Sequence, residues 1–257
     1  MSEGPQVFLR ARWLHGRLSG RRVHDVRSRD SALTARFAPL RGLGIERVRS
    51  HGKRIFLEFE GGLVLHNHQR MRGRWRVLRR FEPLLPTCWI ALDVGDESVQ
   101  NHDGEVLELV TRGDAERIRA ELGPDVLDEP FPRAAFDSAL RACRLPIAEA
   151  LLDQSVVSGL GNVARCEAVF LARVDPTRPA VRLADDELLR LGDAVRLVTR
   201  ESLRQRGRWT HRVYRRDGQP CPRCDARIFR IELPPSRRRF YVCPSCSGMR
   251  NERDLFA

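Results

Sequence analysis

Apolar residues change their spacing along the chain, and the changes divide it. Over residues 6–15 they recur at helical intervals, with Val7, Ala11 and Leu14 on one face, and Gly4-Pro5 supplies the turn that starts the helix. From Val23 to Val110 the period is mostly two. Ile55, Leu57 and Phe59 alternate, Glu60-Gly61-Gly62 turns the chain, and Leu63 and Leu65 resume the alternation, which is the pattern of a hairpin. Strand text continues through 89–94 and 106–110, so a sheet domain is predicted over 1–111. Residues 112–130 are acidic, contain Gly123-Pro124-Asp125 and Pro130, and read as a short helix and a linker. Helical spacing returns at 132–144 and 147–152, breaks at Ser158-Gly159-Leu160-Gly161, and resumes over 162–171 with Asn162 as the expected cap. Over 185–205 Leu188, Leu191, Val195 and Val198 share one face of a longer helix. A helical domain over 131–215 follows, and the remainder, 216–257, is a small unit with strands at 228–233 and 240–242 around Pro234-Pro235. The predicted class is α+β.

The cysteines define that last unit. Cys221 and Cys224, then Cys243 and Cys246, are two CxxC pairs with eighteen residues between them. Four soft thiolates suit a tetrahedral zinc ion in a closed, structural site, which leaves the chemistry to residues elsewhere. The competing reading is two disulfides in a secreted chain; no targeting peptide precedes the first domain, and the CPxC spacing suits a metal better. The turn of the hairpin is expected to carry Ser236-Arg237-Arg238-Arg239, whose guanidiniums, beside Phe240 and Tyr241, suit phosphate contacts and stacking. Cys88, Cys143 and Cys166 are left over and read as buried, reduced thiols of a cytoplasmic protein.

Charge narrows the partner. The 257-residue chain carries a formal charge of +12, which favours a polyanion, and it has no apolar run long enough for a membrane helix. Of the 46 basic residues only Lys53 is a lysine. Arginine does not give up its proton to become a nucleophile, so amine chemistry has two candidates, Lys53 and the N-terminal α-amine. Removal of Met1 is expected before a residue as small as Ser2, and the freed amine has a reference pKa of about 7.7 to 8.0 against about 10.4 for lysine. Glu3 adjoins it and is able to move protons. Lys53 follows His51-Gly52, where glycine permits close approach of backbone to a ligand. The bland alternatives are a frayed terminus and a solvated lysine at a strand entrance. His66 and His68 share a strand face but lack a third metal ligand. Arg70, Met71 and Arg72 combine charge with an unbranched apolar side chain, suited to following phosphates while wedging a base pair apart. Gly159, Gly161 and Ala164 match a dinucleotide spacing without the βαβ unit it requires; a turn seating a backbone phosphate on the next helix start is the better reading.

Taken together, Ser2-Glu3-Gly4-Pro5, Gly52-Lys53, Gly123-Pro124-Asp125-Val126-Leu127, the run from Leu152 to Asn162 and the hairpin ending Arg238 to Cys246 resemble the formamidopyrimidine-DNA glycosylase and endonuclease VIII family. The resemblance covers nearly the whole chain. It implies an N-terminal β-sandwich-like domain with flanking helices, a helix-two-turn-helix domain and a C-terminal zinc finger holding one Zn2+. It also implies a bifunctional DNA glycosylase and abasic-site lyase, monomeric, working on damaged double-stranded DNA in the bacterial cytoplasm and cutting by β,δ-elimination. In that scheme the α-amine of Ser2 attacks the sugar C1′ of a flipped nucleotide, Glu3 shuttles protons, and Lys53 contacts DNA and supports catalysis. Asn162 and Arg238 hold the flanking phosphates, while Arg70, Met71 and Arg72 fill the gap left by the base. The chain departs from the family in having Ser2 for proline, Gln6 for an acidic residue, and an unusually charged inserting trio. The short text between Asn67 and Trp75, with no long loop before the zinc hairpin, looks more like the endonuclease VIII branch and favours oxidised pyrimidines. The competing function is a damaged-DNA or abasic-site binding protein that has lost base excision, motivated by Ser2.

Overall fold

The computed structural model describes residues 2–70, 72–103 and 106–249, which form two compact units. The first comprises Ser2 and Gln6–Glu121; the second takes Glu3–Pro5 together with the chain from Leu122 onward. Helix α1 (Gly4–Leu18) starts two residues earlier and ends three later than the apolar spacing indicated, and it buries Val7, Ala11, Leu14 and Leu18. Pro5 at its second position costs nothing there, because the first turn has no intrahelical acceptor for that N–H.

The first unit continues with β1 (Asp25–Arg27), α2 (Ser31–Phe37) and seven further strands: β2 (Ile45–His51), β3 (Arg54–Phe59), β4 (Leu63–His68), β5 (Arg74–Arg79), β6 (Cys88–Val94), β7 (Glu97–His102) and β8 (Val106–Thr111). They make two antiparallel four-stranded sheets, ordered β1-β6-β7-β5 and β2-β3-β4-β8. The expected hairpin is β3 and β4, with Leu57 opposite Leu65. Ile55, Leu57, Phe59 and Leu65 of one sheet share a core with Trp75, Ile90, Leu92 and Val99 of the other and with the apolar face of α1. That shared core makes the pair a β-sandwich. Strand β7 gave no clear sequence signal because Gln100, Asn101 and His102 are polar yet buried. Helix α3 (Arg112–Ala120) is the short helix expected after the sheets, started by a capping box in which Thr111 and Asp114 exchange hydrogen bonds.

In the second unit α4 (Arg133–Ala142), α5 (Ile147–Ala150), α6 (Asn162–Ala172) and α7 (Asp185–Arg204) precede the hairpin β9 (Phe229–Leu233) and β10 (Arg238–Val242). Helix α7 buries Leu188, Leu191, Val195 and Val198 as its spacing predicts. One core joins the helices to the hairpin, since Leu160, Ala164, Val169 and Val195 cluster with Ile228, Ile231, Phe240 and Val242. The hairpin is therefore built onto the helical core. Arg238 and Arg239 are strand residues, paired with Leu233 and Glu232, and not turn residues as expected; the turn is confined to 234–237 because the ladder closes as soon as Arg237 N–H reaches the Leu233 carbonyl at 2.9 Å. Cys88, Cys143 and Cys166 are buried, and burial pushes the Cys88 thiol up to about 11 and the Cys166 thiol up to about 12. No helix among the described residues is long and apolar enough to cross a membrane.

Candidate active site and DNA-binding elements

The start of α6 brings together residues from both ends of the chain. Glu3 is fully buried, and its carboxylate accepts the backbone N–H groups of Val163 at 2.8 Å, Ala164 at 3.1 Å and Gly161 at 3.2 Å. These are amides that a helix start leaves without internal partners, and the helix dipole favours negative charge there. Asn162 is therefore not the cap, as the sequence suggested: Gly161 occupies that position, has no side chain, and Glu3 supplies the acceptor from 158 residues away. The phosphate seat expected on these amides is likewise filled by Glu3. The glycine pattern now has a physical reason. A Cβ on Gly161 would lie 2.4 Å from the Glu3 carboxyl carbon, and one on Gly4 would lie 3.0 Å from the carbonyl oxygen of Gly159, to which Gly4 N–H donates at 2.7 Å.

Asn162 faces the other way. Its Nδ2 donates to the Arg239 carbonyl at 2.9 Å, and its Oδ1 accepts from Arg165 Nε at 2.9 Å. Arg165 is wholly buried and is the hub of this region. It donates to the Ala148 carbonyl at 3.0 Å, to Glu149 Oε1 at 2.8 Å and to the Arg238 carbonyl at 3.3 Å, and its guanidinium lies 5.3 Å from the Phe240 ring centre. The second Glu149 oxygen accepts the Ser236 N–H at 3.2 Å. Backbone atoms of Ser236, Arg238 and Arg239 are thus all fastened to helices α5 and α6, while the side chains of Arg237, Arg238 and Arg239 are exposed. Glu167, also buried, accepts the N–H groups of Arg212, Val213 and Tyr214 at 2.9 to 3.1 Å and so pins the approach to the zinc unit; burial raises its pKa against the opposing pull of those amides. Sequence reasoning missed Glu149, Arg165 and Glu167. The available signal was the presence of Arg165 and Glu167 within the otherwise apolar text of α6.

The four cysteine sulfurs lie within 4.8 Å of one another, with closest pairs at 3.5 Å for Cys224–Cys243 and Cys224–Cys246 and 3.8 Å for Cys221–Cys246. A tetrahedron with Zn–S bonds of about 2.3 Å has edges of about 3.8 Å, so the donor set fits one structural Zn2+ with no open position. Among the described residues no other group of three or more His, Cys, Asp or Glu side chains gathers its ligand atoms in this way.

The remaining candidates belong to the first unit. Lys53 is half-buried in the two-residue turn between β2 and β3, where Gly52 supplies a φ of +56°. His68 ends β4 nearby in the charge field: burial first, then Arg54, Arg70, Lys53 and His66, lower its pKa to about 4, so the imidazole is neutral near pH 7. In that form its Nδ1 accepts the Arg70 N–H at 3.1 Å, with Arg70 in the left-handed region at φ +45°. His66 is buried, stacked on Phe56 and placed between Arg54 at 3.2 Å and Glu108 at 3.1 Å. Arg70 and Arg72 are exposed, and Met71 lies outside the described residues. Ser2 is partly exposed.

A β-sandwich unit, a glycine-centred helical unit and a four-cysteine hairpin fastened to it define a class of zinc-finger DNA glycosylases, and comparison with known proteins agrees. The formamidopyrimidine-DNA glycosylase N-terminal domain matches residues 1–127, and the formamidopyrimidine-DNA glycosylase H2TH domain matches residues 122–213. The chain is 32% identical to the formamidopyrimidine-DNA glycosylase of Thermus thermophilus, an alignment covering 96% of this chain and 99% of that one. It is 34% identical to endonuclease 8 2 of Mycobacterium bovis over the same shares of the two chains. In fold it matches the Lactococcus lactis formamidopyrimidine-DNA glycosylase bound to DNA containing an abasic site, with a TM-score of 0.84 at 23% identity, covering 95% of this chain and 99% of that one. The chain belongs to the formamidopyrimidine-DNA glycosylase and endonuclease VIII family, and it is a DNA glycosylase with abasic-site lyase activity.

Proposed function

We propose that the chain excises oxidised pyrimidines from double-stranded DNA in the bacterial cytoplasm and cuts the strand by β,δ-elimination, with the α-amine of Ser2 as nucleophile. The amine adds to C1′ as the base departs, and the adduct loses the ring oxygen bond to give an imine. That imine draws electrons from C2′, so its proton becomes acidic and elimination expels the 3′ phosphate, then the 5′ phosphate, without hydrolysis. Glu3 moves protons in these steps. The single observation that supports this reading is the anchorage of Glu3 and Gly4 on the turn before α6, because it fixes the backbone one residue beyond the proposed nucleophile. Lys53 contributes positive charge and a phosphate contact. Arg238 presents an exposed guanidinium from a fastened strand, and Asn162, with one of two N–H donors used on Arg239, offers the other to a phosphate. Arg70, Met71 and Arg72 fill the space of the extruded base. The short inserting segment supports the endonuclease VIII branch and hence pyrimidine lesions.

Borohydride trapping on protein with a verified Ser2 terminus tests the assignment. Lys53→Ala is expected to lower the rate yet leave a trapped adduct on Ser2, whereas retention of Met1 abolishes trapping even with Lys53 present. An adduct on Lys53 that disappears in Lys53→Ala overturns it. The second reading, an abasic-site binder without base excision, is favoured by the substitution of Ser2 for the family's proline; it predicts binding with no strand product on any lesion.

A further inference from the structure

Ser2 differs from a proline in more than basicity. Its amine is primary, and it carries a hydroxyl on the carbon next to Cα, so the amine and hydroxyl form a 1,2-amino alcohol. Nothing in the proposed excision chemistry uses that hydroxyl, and Ser2 is partly exposed. Resting on the assignment of the Ser2 amine as nucleophile, we infer that Ser2 also captures abasic sites as a reversible five-membered oxazolidine, a resting adduct in which the strand stays intact.

The chemistry follows from the atoms present. The abasic-site aldehyde and the Ser2 amine first form a carbinolamine, which loses water to give the C1′=N imine. The Ser2 Oγ–H then adds across that bond. A C1′–Oγ bond forms, the π pair of C1′=N goes to nitrogen, and the hydroxyl proton ends on the same nitrogen. The ring contains C1′, N, Cα, Cβ and Oγ, no oxidant or reductant is consumed, and reversal regenerates the imine. A proline nitrogen has no such neighbour, since its side chain is closed on the amine itself.

Closure changes what the adduct does. Elimination needs C1′=N as the electron sink for the C2′ carbanion, and a C1′ bonded singly to both nitrogen and oxygen is no sink. The closed form therefore holds the abasic site without cutting it, and strand cleavage proceeds only from the open fraction. The amine and hydroxyl sit on the same residue, so closure needs only rotation about Cα–Cβ, and Glu3 on three amides with Gly4 on the Gly159 carbonyl holds the segment that carries them. The enzyme is thereby expected to be a slower lyase and a longer-lived cover for abasic sites than its proline-initiated relatives.

The test uses the full chain with verified N-termini and an abasic duplex labelled with 13C at C1′. Ser2→Ala keeps the primary amine, is small enough for Met1 removal, and deletes only the hydroxyl; Ser2→Thr keeps both groups. The parent and Ser2→Thr are expected to show a DNA-linked species whose C1′ resonates as a tetrahedral carbon bonded to nitrogen and oxygen, without added borohydride. Ser2→Ala is expected to lack it and to cut the strand several-fold faster in a single turnover. Trapping by borohydride on residue 2 in both parent and Ser2→Ala, with equal cutting rates and no tetrahedral C1′ signal in the parent, overturns the oxazolidine while leaving the nucleophile assignment standing. Adducts found on Lys53 in both proteins overturn the two together.

Discussion

The α6 start and the Lys53 edge of the sandwich manage charge in opposite ways. At α6 each buried ion meets a matched partner: Glu3 meets three amides, and Arg165 meets Glu149, three backbone or amide oxygens and an aromatic face. At the sandwich edge Lys53, Arg54 and Arg70 crowd the same imidazole with positive charge, and the Glu108 carboxylate sits on His66 instead. A satisfied network fixes geometry and has little left to offer a ligand. A set of like charges that repel one another is relieved when a polyanion arrives. The second unit is thus fixed by satisfied polar groups, and the first carries an electropositive edge.

The largest expected effect strikes the fixed region. Removing zinc should cost on the order of 10 kcal/mol of apparent folding energy, the scale of structural zinc in small domains. Because Ile228, Ile231, Phe240 and Val242 belong to the same core as the helices, chelation is expected to loosen α6 and α7 as well as the hairpin. Metal content followed beside near-UV circular dichroism checks this; an unchanged melt after complete metal loss would show that the helical core holds the hairpin unaided. Next in size is Arg165→Met, which leaves Glu149 buried without its counter-ion at a cost of about 3–5 kcal/mol. Urea unfolding measures it, and adding Glu149→Gln should recover part of the loss. If the double variant is no more stable than the single one, Arg165 acts through the carbonyls of Ala148 and Arg238 and not through Glu149.

Arg238 separates the two behaviours within one residue. Its carbonyl is part of the fixed network, its guanidinium faces outward, so Arg238→Ala should leave stability near that of the parent while lowering the salt slope of DNA binding by about one unit. A slope equal to the parent's means that this guanidinium meets no phosphate.

What was legible in the sequence was local. The faces of α1 and α7, the β3–β4 hairpin and the cysteine pairs carry their signals within a few residues, because periodicity and ligand spacing are short-range properties. The substitution of Glu3 for Asn162 at the α6 start was not legible, since its partners are 158 residues apart and nothing near either one marks the other. Arg165 and Glu167 carry no local mark of burial except their apolar neighbours in α6. Strand β7 failed for a related reason: a strand whose buried side chains are Gln100, Asn101 and His102 does not alternate in hydrophobicity.

A pH-dependent effect concerns His68 and sharpens the account of the electropositive edge. Its ordinary pKa of 6.5 falls to about 4 in the folded protein, through burial first and then Arg54, Arg70, Lys53 and His66. Between these values the unfolded chain binds a proton that the folded chain refuses, so stability falls as pH drops from about 6.5 to about 4 and this contribution levels off below. His66, lowered chiefly by burial, acts in the same direction and remains when His68 is replaced. His68→Gln keeps a polar acceptor for the Arg70 N–H but does not titrate. Plotting the difference in urea-unfolding free energy between parent and His68→Gln against pH cancels the carboxylates common to both. The difference should be flat above about pH 6.5 and should move in favour of the variant as the pH falls toward 4. A difference that is flat throughout would place His68 in water, outside the positive field of Lys53, Arg54 and Arg70.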